Sequence, residues 1–203
     1  MIAQPLPEKT LLKLDLGCGT RKQEGFIGVD SMSFKGVDMH CDLAKTPWVL
    51  TPWATRSDTG ETYAVPGADP LPNESVAEVF CCHFIEHLDA QERINFVNEL
   101  WRVLVPGGKA VIIVPYWASA RAYGDLTHKW PPVSEFWFGY LSKAWREANA
   151  PHNDFYKCNF TVTGDWTMHP ALTARNDEFK SFAIQFYKEA AQDMRALFVK
   201  EPM

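Results

Sequence analysis

What most constrains this chain is an apolar run that ends in two closely spaced glycines and then restarts almost at once. Leu12, Leu14 and Leu16 alternate with Lys13 and Asp15, and Gly17-Cys18-Gly19 follows directly. Alternation with period two reads as a short strand, and glycines at its end let the backbone turn sharply and approach a ligand that a Cβ would hold off. Phe26-Ile27-Gly28-Val29-Asp30 reads as a second strand ending in a carboxylate. In an open parallel sheet ligands lie beyond the carboxyl ends of the strands, so the glycine turn and Asp30 are expected to face one crevice.

The spacing separates this turn from the dinucleotide-binding fingerprint. That motif needs a third glycine where this chain has Lys22, and a helix whose N-terminus holds a pyrophosphate. Only the six residues Thr20 to Gly25 lie between Gly19 and the second strand, too few for more than about one or two helical turns. A ligand without phosphate fits better. S-adenosylmethionine needs a backbone cradle and a carboxylate for its ribose hydroxyls, but no anion-binding helix.

Here the chain resembles the class I S-adenosylmethionine-dependent methyltransferases, and within them a compact bacterial and viral group with a shortened first helix. The resemblance continues in order along the chain. Asp42-Leu43 closes a third apolar stretch over 37–41, and Val76 to Cys82 reads as a fourth strand, followed by His83-Phe84-Ile85-Glu86-His87-Leu88. Lys109 to Pro115 reads as a fifth strand behind the Leu104-Val105-Pro106-Gly107-Gly108 turn. Likeness covers roughly residues 11–130 well and the remainder more loosely. It implies an α/β, Rossmann-like fold: a seven-stranded, mostly parallel sheet flanked by helices, with the last strand antiparallel. It further implies S-adenosyl-L-methionine as cofactor and S-adenosyl-L-homocysteine as product, contacted by Asp15, Gly17, Cys18, Gly19, Asp30, Ser31, Met32, Asp42, Leu43 and His83.

The rest of the chain reads as one domain over 1–203 with two additions. Asp89 and Glu92 form a capping box, and Ile94, Val97, Trp101 and Leu104 recur at helical spacing behind it. Asn176 caps another helix, with Phe179, Phe182, Phe186 and Ala190 as its apolar stripe. Phe160 to Met168 and Met194 to Val199 read as the sixth and seventh strands. The first addition, about 46–72, holds five prolines and two tryptophans with little periodicity. It reads as an insertion, either covering the nucleoside, forming a subunit contact, or packing Trp48 and Trp53 back on the core. The second, about 116–150, is dense in aromatic residues, from Trp117 and Tyr123 to Trp145, and is expected to carry the acceptor side. Within it Asp125-Leu126-Thr127-His128 resembles an Asp-Pro-Thr-His element of related chains, with Leu126 in place of the proline.

Net charge is −5, which argues against a protein that grips nucleic acid by its backbone, and no Asn/Asp-Pro-Pro-aromatic segment of base methylases follows the fourth strand. A small-molecule acceptor is the better expectation. No apolar run is long enough to span a membrane and Met1 to Thr10 lacks the regions of a signal peptide, so a cytoplasmic protein is expected. The five cysteines are odd in number and fall mostly in strands, as buried reduced thiols do. The oligomeric state is left open.

For the chemistry, the sulfonium brings its own leaving group, so the protein has mainly to position the acceptor in line and exclude water. If the acceptor loses a proton, the candidate bases are His128, His83 and Tyr116. No metal is expected. His83-x-x-Glu86-His87 does match the His-x-x-Glu-His string of some zinc peptidases, but that motif must sit inside a helix, and here it follows a strand directly. A further alternative keeps the cofactor and drops the transfer, because fold does not fix function.

Overall fold

The computed structural model describes residues 11–203, and the expectation made for Met1 to Thr10 lies outside the described residues. Five parallel strands form the centre of the sheet: β1 (Leu12–Leu16), β2 (Ile27–Asp30), β3 (Met39–His40), β6 (Val76–Cys82) and β7 (Leu104–Pro115). Two hairpin strands, β4 (Thr51–Thr55) and β5 (Thr62–Ala64), extend one edge, while β8 (Phe160–Met168) and β9 (Ala191–Lys200) complete the other. The order is β5-β4-β3-β2-β1-β6-β7-β9-β8. The chain builds outward from β1 in one direction through β2 and β3, then returns to place β6 on the other side. Strand order therefore reverses between β1 and β6, the place where open α/β sheets bind ligands.

Among the described residues nine strands stand where seven were expected, and the difference is the 46–72 insertion. Its Thr51–Thr55 and Thr62–Ala64 segments pair antiparallel with each other, and Thr51 and Pro52 pair with β3. Without that hairpin the sheet has the seven expected strands, and its last strand, β9, runs antiparallel to β7. The insertion is anchored by Trp48, which is fully buried. Its indole N–H donates to the Leu43 carbonyl and its backbone N–H to Glu99 Oε1, 2.7 Å away. Trp53 stands edge-on to His40.

The helix α1 (Ala90–Val103) begins at the anticipated capping box: Asp89 accepts from the Glu92 N–H, and Glu92 accepts from the Asp89 N–H. Its buried face is Phe96, Val97, Leu100 and Val103; of the expected stripe Val97 and Leu104 are buried, while Ile94 and Trp101 are half-buried at its flanks. Strand β7 starts five residues early because Leu104 pairs with Val76 before the Pro106-Gly107-Gly108 segment bulges out. Short helices α2 (Arg121–Gly124), α3 (Glu135–Gly139) and α4 (Lys143–Asn149) follow it. Helix α5 (Asp177–Phe186) starts at Asn176 as expected, but its aromatic stripe is not core: Phe182 and Phe186 are exposed and pack on each other, Ala183 is the buried residue of the helix, and the buried Ala190 lies beyond its end. Among the described residues all five cysteines are free thiols, and no helix is long and apolar enough to cross a membrane.

Candidate active site

The site is built at the reversal point from two strand ends. Gly17 leaves β1 with φ +69° and Gly19 follows with φ +51°, both in the left-handed region that glycine enters without a steric penalty. A Cβ on Gly17 would stand 2.5 Å from Phe84 Cδ2, whereas one on Gly19 would meet nothing within 4 Å. Gly17 is thus required by the protein's own packing. Gly19 faces open space.

Asp30 holds this turn in place. Its Oδ2 accepts from the Gly19 N–H at 2.9 Å and its Oδ1 from the Met32 N–H at 3.0 Å, so the end of β2 is tied to the loop after β1. Asp15 lies beneath, 1% exposed, with its Oδ2 accepting from the Gln23 N–H at 2.6 Å. Burial pushes its carboxyl above the usual range, with the Gln23 hydrogen bond acting in the opposite direction. The Cys18 thiol is pushed up to about 12 by burial first, then by the Asp15 and Asp30 charges. A cleft of about 470 Å³ opens here, with Asp15, Gly17, Cys18 and Gly19 on one wall and Phe80, Cys82 and His83 on the other.

His83 marks the inner end of that second wall. It follows β6 with φ +55°, a strained conformation for a residue with a side chain. Its Nδ1 lies 3.0 Å from Glu86 Oε1 and its Nε2 3.8 Å from Asp193 Oδ1. Asp193 comes from β9, more than a hundred residues away, and also pairs with Arg121 at 2.8 Å. Nothing local in the sequence announces that partner.

Several expected site residues lie elsewhere. Tyr116 is fully buried, its hydroxyl donates to the Ile184 carbonyl, and burial raises its pKa, so as placed it does not reach the cleft. Leu43 is buried in the core. Asp42 accepts from the Ala44 N–H, pairs with Lys45, and lines a separate groove with His40 and Pro47. Ser31 and Met32 are exposed beside Asp30. His128 is set back from the cleft: its Nδ1–H donates to the Ala122 carbonyl at 3.1 Å and its ring stands edge-on to His87. The aromatic segment encloses a cavity of about 380 Å³, in which Phe136, Trp137 and Tyr140 face Arg93 and Ile94 of α1. Arg93 spends its donors on the carbonyls of Ile85, Glu86, Lys129 and Pro131, a clamp that sequence patterning did not reveal.

Residues 14–112 match the family described as methyltransferase domain. By this match the chain carries a methyltransferase domain. Among curated proteins the chain is 30% identical over 143 residues to a malonyl-[acyl-carrier protein] O-methyltransferase of Alcanivorax borkumensis, a match covering 66% of this chain. The match spans only 44% of that relative. Among solved structures the methyltransferase domain is similar to a SAM-dependent methyltransferase from Archaeoglobus fulgidus, with TM-score 0.58, 19% identity, 95% of this chain and 87% of that one. A possible histamine N-methyltransferase from Thermotoga maritima gives TM-score 0.51 at 14% identity, over 94% of this chain and 82% of that one. At these identities the two structures establish a shared fold. The His-x-x-Glu-His string is not a helical metal motif: His83 stands on the strained turn after β6, and Ile85–His87 form a single 3₁₀ turn.

Proposed function

We propose that this domain transfers the methyl group of S-adenosylmethionine to a small-molecule acceptor held at the His83 end of the cleft. The observation that carries the reading is the tie between Asp30 and the Gly19 N–H at the reversal point of the sheet, continuous with a cleft that runs to His83. In this reading the glycine turn cradles the amino-acid part of the cofactor, and Asp30 presents oxygen acceptors to the ribose hydroxyls beside its two backbone bonds. An acceptor lone pair attacks the methyl carbon. The carbon–sulfur bond breaks with its electron pair left on sulfur, giving S-adenosylhomocysteine.

If the acceptor is a hydroxyl, its proton needs a base. His83 is the candidate nearest the cleft, because a Glu86 carboxylate accepting from its Nδ1–H leaves Nε2 as the basic nitrogen. The O-methyl transfer named for the Alcanivorax relative supports an oxygen acceptor, and the chain's net charge of −5 supports a small molecule over a nucleic acid. Incubation with methyl-labelled S-adenosylmethionine and separated cell fractions tests this. Label is expected in the small-molecule fraction and abolished or strongly reduced by His83→Ala. Label confined to RNA or protein would refute the acceptor class, and label in no fraction would favour a cofactor-binding module without transfer.

A further inference from the structure

We infer that Glu86, His87 and His128 form a binding site for one divalent transition-metal ion beside the cofactor cleft. One ligating atom from each of the three lies within 4.8 Å of the others, a spread that small side-chain shifts would close around a single ion. Glu86 gives the independent sign of a missing ligand. Its side chain is 6% exposed, Oε1 is engaged by His83, and Oε2 has no hydrogen-bond partner among the described residues. Buried carboxylate oxygens are nearly always satisfied, and Glu86 belongs to the cluster.

The two histidines are already set as metal ligands by their outer bonds. A carbonyl can only accept, so the bond to Ala122 places the proton of His128 on Nδ1 and leaves the Nε2 lone pair free. At His87 the same result follows through Thr127. The Thr127 hydroxyl lies 2.7 Å from Asp125 Oδ1 and gives its one proton to that carboxylate, so it accepts from His87 Nδ1–H at 3.0 Å. Both Nε2 atoms are thus lone-pair nitrogens, and each Nδ1–H is anchored to an oxygen, as metal-bound histidines characteristically are.

The juxtaposition is also fixed by the backbone. The Lys129 N–H donates to the Glu86 carbonyl at 2.8 Å, and Arg93 bonds carbonyls on both segments. Nearby charge is mixed: Glu86 and Asp125 are anionic and the Arg93 guanidinium faces the backbone carbonyls. Two imidazoles and one carboxylate suit Mn²⁺, Fe²⁺, Co²⁺ or Zn²⁺ better than Mg²⁺ or Ca²⁺, and three protein ligands leave positions open. Because His83 bonds Glu86 and also lines the cleft, an ion here would fix Glu86 and, through it, the His83 ring that faces the acceptor. That role, though not the ion site itself, rests on the methyl-transfer reading above.

The test is calorimetric titration of chelator-treated protein with Mn²⁺, Co²⁺ and Zn²⁺, with the visible spectrum of the Co²⁺ form as a second readout. One ion per chain is expected, weakened at least 100-fold in both His87→Ala and His128→Ala and unchanged in His152→Ala, an exposed histidine elsewhere. Binding of S-adenosylhomocysteine by His128→Ala should match the unchanged protein, which also shows that the variant is folded. Absence of saturable metal binding, or an affinity in His87→Ala and His128→Ala equal to that of the unchanged protein, would overturn the proposal. Metal binding without any S-adenosylhomocysteine binding would instead overturn the reading of the cleft and leave the ion site standing.

Discussion

Alanine at Gly17 and at Gly19 should both damage cofactor binding, but through different physics that a pair of assays separates. Both residues have positive φ, so a Cβ costs about 1–2 kcal/mol at either position. At Gly17 the new atom would also stand 2.5–2.7 Å from Phe84 Cδ2, Cγ and Cβ, and moving that half-buried ring adds about 1–3 kcal/mol of overpacking. Gly17→Ala should therefore lose roughly 2–5 kcal/mol of stability, and Gly19→Ala only about 1–2, since nothing lies within 4 Å of its Cβ. For a chain of this size each kcal/mol lowers Tm by about 2–4 °C, so the two variants are resolved by thermal unfolding. Gly19→Ala places its methyl in the open cleft, where crowding the ligand by about 1–3 kcal/mol weakens S-adenosylhomocysteine roughly 5- to 150-fold in calorimetry. A folded Gly19→Ala protein that binds S-adenosylhomocysteine as tightly as the unchanged chain would refute the placement of the cofactor against this turn.

Asp30→Ala removes an acceptor from the Gly19 and Met32 N–H groups as well as from the ribose. A loss of about 1.5–3 kcal/mol, or roughly 10- to 150-fold in Kd, is expected by calorimetry, and a change under twofold would contradict it. Cys18 should resist alkylation despite lining the cleft. With its pKa near 12 the thiol stays protonated at pH 8, so iodoacetamide labelling should be slow and still accelerating above pH 10, as mass spectrometry of the peptide can check. Glu99→Ala should destabilise by roughly 3 kcal/mol in urea, because it leaves the buried Trp48 N–H without an acceptor and removes two of the Arg102 hydrogen bonds, and a loss below 1 kcal/mol would mean the insertion is not anchored there.

Local chemistry was legible in the sequence and long-range pairing was not. The limits of β1, β6 and β8 follow from apolar alternation bounded by breakers, and the starts of α1 and α5 from the Asp89 and Asn176 caps, whose bonds span three residues. The β4–β5 hairpin was missed because Pro52 and the polar run 55–62 resemble a loop. Only pairing to the edge strand β3 makes them strands. The α5 stripe misled because periodicity shows which residues share a face, not whether anything covers that face. At the site, the glycine turn and Asp30 were readable since both follow directly from strand ends. Asp193 beside His83, and His128 beside His87, were not, because β9 and the Arg93 clamp bring them there from 110 and 41 residues away.

The measurement that tests the account most directly is calorimetric titration of the purified chain with S-adenosylmethionine, S-adenosylhomocysteine and NAD. One site per chain with micromolar affinity for both sulfur compounds, and no heat from NAD, is the predicted result. Binding of NAD with none of either sulfur compound would contradict the cofactor cleft described between β1, β2 and β6.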